Sequence, residues 1–127
     1  MIRVLIVDDH AFVRASLAAV LGGAAGIEVV GVCADGAEVP DAVSATQPHI
    51  VLMDLKMPRV TGTEATTALT ASHPEARVLV LTGSTSSRAR AEAARAGAVG
   101  YLHKGGNPEE LVQAVRAAAS GDSVWLG

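Results

Sequence analysis

Apolar runs of strand length at residues 3–7, 28–33, 49–53, 77–81 and 100–103 alternate with Ala-rich stretches at 11–21, 37–45, 62–72, 87–96 and 108–119. No other feature narrows the fold as much. A run of β-branched and leucine residues without polar alternation suits a strand buried on both faces, and each parallel pair needs a crossover that is right-handed. Repeated five times, the pattern predicts an α/β domain, a doubly wound five-stranded parallel sheet with helices on both faces.

The helical stretches carry their own start and stop signals. Val13, Leu17, Val20 and Leu21 form one apolar stripe, which Gly22-Gly23 ends. The last helix opens with Asn107 as N-cap, Pro108 at its first position, and Glu109 and Glu110 in the first turn, where the helix dipole favours negative charge. Pro40 would cost about 3 kcal/mol inside a helix, so the second helix should start late or be distorted. Phe12, Tyr101 and Trp125 are the only aromatics in a chain that is 50% apolar, so Val, Leu, Ile and Ala must fill the core.

The 127 residues suit one domain, and residues 121–127 read as the start of a linker or tail. A net charge of -3 argues against nucleic-acid binding by this domain itself. Cys33 is the only cysteine and reads as a small buried residue; no internal disulfide is available. With no signal-like segment and no apolar run of membrane-spanning length, the expected location is the cytoplasm.

In a parallel sheet of this type, ligands sit beyond the carboxyl ends of the strands. Those ends carry Asp8-Asp9, Asp54, Thr82 and Lys104, so three carboxylates, a hydroxyl and an ammonium converge on one edge. Two or three carboxylates suit Mg²⁺ or Mn²⁺, and a lysine and hydroxyl opposite would hold phosphate oxygens. Such a set can accept a phosphoryl group onto a carboxylate by in-line transfer. His10, His49, His73 and His103 lack metal-ligand spacing and read as surface or structural residues.

The stretches VLIVDDH, VLMDLKMP, VLVLTG and GYLHK, in this order and on these elements, resemble the CheY-like receiver domain of two-component response regulators over residues 1–120. That resemblance implies the flavodoxin-like strand order 2-1-3-4-5 and a regulatory phosphoacceptor with self-phosphorylation and self-dephosphorylation chemistry rather than an enzyme. It implies phosphorylation of Asp54 by a sensor histidine kinase, with Asp8, Asp9, Asp54 and the Lys56 backbone carbonyl around Mg²⁺. Thr82, Gly83 and Lys104 would contact the phosphate, and Thr82 and Tyr101 would form the switch. The DDH start and the glycine after Lys104 resemble the NarL/FixJ class, in which a LuxR-type DNA-binding domain follows a linker. DNA contact and a possible homodimer are then expected of a longer protein, with a single-domain receiver as the alternative. Phe12 lies off the apolar stripe beside the acidic site and is the expected kinase contact.

Two positions depart from the receiver pattern. Thr61 stands where Asp commonly precedes the loop glycine, and Gly105 follows Lys104 where many receivers have a cis proline. A non-proline cis bond costs about 2.5–4 kcal/mol, which argues against cis geometry here. The rival readings fit less well. TGSTSS resembles a flavodoxin phosphate loop, but an FMN loop should follow the first strand, and no aromatic is placed to stack a flavin. A haloacid-dehalogenase-type phosphatase needs a second Asp two positions after the first, and neither DDH nor DLK supplies it. Nucleotide-binding glycine motifs are absent.

Overall fold

The computed structural model describes residues 1–83 and 86–125. Its strands are β1 (Ile2–Val7), β2 (Ile27–Cys33), β3 (Ile50–Met53), β4 (Arg77–Thr82), β5 (Gly100–His103) and β6 (Val124–Trp125). The helices are α1 (Ala11–Gly22), α2 (Val39–Thr46), α3 (Gly62–Ser72), α4 (Ser87–Ala96) and α5 (Pro108–Ala119), and a short 3-10 turn at Gly36–Glu38 precedes α2. All strand pairs are parallel, in the order β2-β1-β3-β4-β5-β6. The expected order 2-1-3-4-5 is present, and the sheet has six described strands rather than five. β6 lies in the stretch read as the start of a tail; two residues show no periodicity by which a sequence could announce them.

Strand alternation sorts the core into two layers. Val4, Ile6, Ile50, Leu52, Leu79, Leu81 and Leu102 face α1 and α5, meeting Leu21, Ala114, Val115 and Ala118. Leu5, Val7, Val51, Met53, Val78, Val80 and Tyr101 face α2, α3 and α4, meeting Val39, Val43, Ala65, Leu69 and Ala93. Each fully buried Leu, Ile or Val contributes about 1.5–3 kcal/mol, whereas the alanines let the helices lie close to the sheet.

Local chemistry sets the helix ends. Pro40 sits in the first turn of α2, where its missing N–H costs little, so this helix starts late as the sequence implied. Asn107 Oδ1 accepts from Glu109 N at 2.8 Å and caps α5. Thr61, the departure from the receiver pattern, caps α3: its hydroxyl accepts from Glu64 N at 3.2 Å, and Glu64 Oε1 accepts from Thr61 N at 3.1 Å. Gly62 follows directly, and any Cβ there would collide with the backbone carbonyl of Asp54. The described residues contain no cis peptide, and Gly105 instead takes φ 79°, a left-handed conformation natural to glycine. Cys33 is buried, and burial followed by the nearby charge of Glu38 pushes its thiol up to about 11, which disfavours the thiolate. Among the described residues no helix is long and apolar enough to cross a membrane.

Candidate functional site

Three functional side chains sit one residue beyond a strand, where the backbone still follows the ladder. Asp8 N donates to Cys33 O at 3.0 Å, Asp54 N to Val7 O at 2.9 Å and Lys104 N to Thr82 O at 2.7 Å. Each side chain is thereby fixed at the carboxyl edge of the sheet. Lys104 Nζ lies 2.7 Å from Asp8 Oδ2 and 3.1 Å from Asp54 Oδ1. Asp8 and Asp54 are only 1% and 5% exposed.

Negative charge outnumbers positive charge here. Burial, then the charge of Asp8, pushes the Asp54 carboxyl above the usual range, with Asp9 adding to the rise and Lys104 opposing it. Burial alone would lower the Lys104 ammonium, yet contact with Asp8 and Asp54 overcomes it and raises the group above the usual lysine range. In a simple ion pair the carboxylate would shift down as the ammonium shifts up. Asp54 shifts up as well because its burial, with the charge of Asp8 beside it, outweighs the single ammonium. The ionised Asp54 therefore costs folding free energy at neutral pH, and the cost is relieved as pH falls through its raised folded-state value.

Two oxygens stand out. Asp8 Oδ2 is buried with the Lys104 ammonium 2.7 Å away, and Asp9 Oδ1 is buried with the His10 ring 3.0 Å away and no aligned hydrogen bond. Asp8, Asp9, His10 and Asp54 each offer a ligand atom within 4.8 Å of the others. Clustered buried carboxylates with one ammonium between them are costly, and a bound divalent cation would balance them and let them stay ionised. The donor set thus fits such an ion.

Thr82 and Tyr101 are both buried, and Tyr101 pairs with Val80 while Thr82 pairs with His103. The tyrosine and the threonine thus share one face of the sheet on adjacent strands. The Tyr101 ring is inside, within the α2–α4 layer, with Ala89 and Trp125 packed against that layer. Burial raises its hydroxyl above the usual tyrosine range, opposed by Arg90. Lys56 is exposed, as are Gly83 and Phe12, which is 83% accessible. Residues 84 and 85 of the hydroxyl-rich stretch lie outside the described residues.

Sequence reasoning missed Asp35. Its Oδ1 accepts from Ala37 N and Val60 N, both at 2.9 Å, and its Oδ2 accepts from Arg59 N at 3.0 Å. Those bonds, the one from Ala37 first, hold the carboxyl below the usual range despite burial. Their stabilisation is present above the ordinary carboxylate value and is lost as pH falls through the lowered one. This carboxylate ties the loop that follows Asp54 to the end of β2. Arg14 was missed too; its Nη1 donates to Asp8 O at 2.8 Å and braces the acidic pair from α1.

The comparisons agree with this geometry. The family model of the response regulator receiver domain matches residues 4–116. The chain is 41% identical to response regulator GacA of Pseudomonas protegens over 95% of its own length, and spans 57% of that relative. It superposes with a TM-score of 0.91 and 37% identity on a LuxR-family two-component response regulator from an Aurantimonas species, covering 96% of this chain and 87% of that one. The response regulator domain of Thermotoga maritima CheB gives a TM-score of 0.89 at 31% identity, with 96% and 98% covered. With that match over nearly all of its length, and with the acidic edge and lysine in place, the chain belongs to the response regulator receiver domain family.

Proposed function

We propose that this domain accepts a phosphoryl group from a sensor histidine kinase onto Asp54 in a Mg²⁺-dependent reaction. The observation that carries the reading is that the carboxylates of Asp8, Asp9 and Asp54 lie together at one strand edge, with the single ammonium of Lys104 in contact with Asp8 and Asp54. Asp8, Asp9, Asp54 and the Lys56 carbonyl would hold Mg²⁺ or Mn²⁺, which when bound would neutralise the carboxylates and the incoming phosphate. An Asp54 carboxylate oxygen forms the new bond to phosphorus. The bond from phosphorus to the donor's nitrogen or oxygen breaks, and its electron pair leaves with the donor. Lys104 takes a phosphate oxygen in place of Asp8, while the Gly83 amide and Thr82 hydroxyl turn toward the remaining oxygens.

Incubation with acetyl phosphate and Mg²⁺ should add one phosphoryl group that peptide mapping places on Asp54, and Asp54→Asn should abolish it. A phosphate on Ser84, Thr85 or Ser86 would remove the assignment.

Phosphorylation would bias an equilibrium around Thr82 and Tyr101, and so the surface of α4, β5 and α5, toward self-association or release of an output domain. The relatives' extra length, and the LuxR name borne by one of them, support an attached C-terminal DNA-binding domain in a cytoplasmic regulator. Residues 1–120 would be the body of the receiver, with β6 carrying its sheet into the stretch that leads to the linker.

Phe12 borders an apolar groove of about 510 Å³ between α1 and the turn from β5 to α5, which Leu17, Leu102, Lys104 and Pro108 also line. An exposed ring beside a groove that reaches Lys104 supports Phe12 as the kinase contact. Phe12→Ala should slow transfer from the cognate kinase by about tenfold, the value of roughly 1.4 kcal/mol at an interface residue, without slowing acetyl phosphate. Equal loss with both donors would make Phe12 structural.

A further inference from the structure

His10 was set aside in the sequence because it lacks metal-ligand spacing, yet the fold turns its ring into the acidic group. The residue follows Asp9 at the N-cap of α1, but its side chain does not cap the helix. Instead Nδ1 lies 3.0 Å from Asp9 Oδ1 and 3.2 Å from Asp8 Oδ1. The backbone helps to set this position, since His10 N donates to Asp8 Oδ1 at 2.8 Å.

The contact with Asp8 Oδ1 is a hydrogen bond, and these separations are also close to those within one coordination sphere. Two ligands at right angles, each about 2.1 Å from one ion, lie about 3 Å apart, and ligands on opposite sides lie about 4.2 Å apart. The candidate atoms of Asp8, Asp9, His10 and Asp54 fall within 4.8 Å of one another. Within that cluster, the buried Asp8 Oδ2 meets the Lys104 ammonium, and the buried Asp9 Oδ1 has the His10 ring as its near neighbour. A purely oxygen-lined site would favour Mg²⁺, which keeps its waters and takes nitrogen reluctantly. An imidazole at the rim changes the preference, because nitrogen suits Co²⁺, Ni²⁺ and Zn²⁺.

We propose that His10 is a facultative ligand of the acidic site, leaving Mg²⁺ to the carboxylates but supplying a nitrogen to transition-metal ions, so that the domain binds Co²⁺ and Ni²⁺ more tightly than Mg²⁺. The inference rests on the cation site proposed above. It adds a determinant of which ion occupies that site. The ring is 65% exposed, so it can swing without disturbing the core.

Calorimetric titration of the whole chain with MgCl₂ and with NiCl₂, at one fixed pH near neutrality, tests it. His10→Ala should lower Ni²⁺ affinity by about tenfold or more and leave Mg²⁺ affinity within about twofold. With Co²⁺ bound, the parent should show a paramagnetically shifted ring proton that His10→Gln loses. Unchanged Ni²⁺ affinity, equal losses for both ions, or a Ni²⁺ site that survives Asp9→Ala would overturn the proposal. Ni²⁺ binding that needs both His10 and Asp9 in a protein that ignores Mg²⁺ would uphold it while removing the Mg²⁺ reading.

Discussion

Asp9→Ala is expected to weaken Mg²⁺ binding on the order of a hundredfold or more, and to suppress phosphorylation with it, while making the metal-free protein more stable. Asp9 contributes a buried oxygen that accepts no aligned hydrogen bond. Its only close cationic partner among the described residues is His10, which counts as a charge only when protonated. Removing one of three clustered carboxylates should relieve on the order of 1 kcal/mol of repulsion, net of the offset that Lys104 supplies. For a domain of this size that raises the melting temperature by about 3–6 °C. Added Mg²⁺ should reverse the ranking. At about 100 times the dissociation constant, the parent gains about 2.7 kcal/mol, and the variant at that concentration gains almost none. Melting curves with and without MgCl₂ give both numbers in one experiment. A variant that is less stable without metal, or that gains as much from Mg²⁺ as the parent, would show that Asp9 is part of the scaffold.

Thr82→Ala should accept phosphate on Asp54 as the parent does, yet fail to pass the event on. The threonine is 4% exposed and shares a sheet face with Tyr101 on the neighbouring strand. A hydrogen bond from its hydroxyl to a phosphate oxygen, as proposed here, is worth about 1.5–3 kcal/mol. Losing it should reduce the shift in the switching equilibrium by roughly 10- to 150-fold, since a site exerts leverage only through its differential interaction with the two states. The measurement is the response of Tyr101 and Trp125 resonances, and of oligomeric state, to acetyl phosphate. Full switching in the variant would mean that the coupling avoids Thr82.

What could be foreseen from the chain follows from where the determining interactions lie. Asp8, Asp54 and Lys104 were legible because each follows an apolar run, and a parallel sheet gathers strand ends on one edge. The inward lean of His10 was not, because it depends on a side-chain contact made just outside a helix. Asp35 was hidden for a different reason. Its partners in the loop after Asp54 are backbone N–H groups 24 and 25 positions away, which exist whatever the residue type and leave no trace in composition or spacing. β6 is short enough that only its pairing with Gly100 and Tyr101 defines it as a strand.

Gly62 has a consequence for how such a domain tolerates change. The backbone carbonyl of Asp54 fills the space a Cβ would need there, so even alanine must displace the segment that carries the phosphoacceptor. Random substitution screened for folded protein alone should therefore spare the glycine, which has no chemistry. It should let Asp9 drift, since the repulsion it adds makes it dispensable to the fold. Selection for foldedness and selection for signalling would mark different positions around one sheet edge, and a lineage released from signalling would lose Asp9 before the glycine.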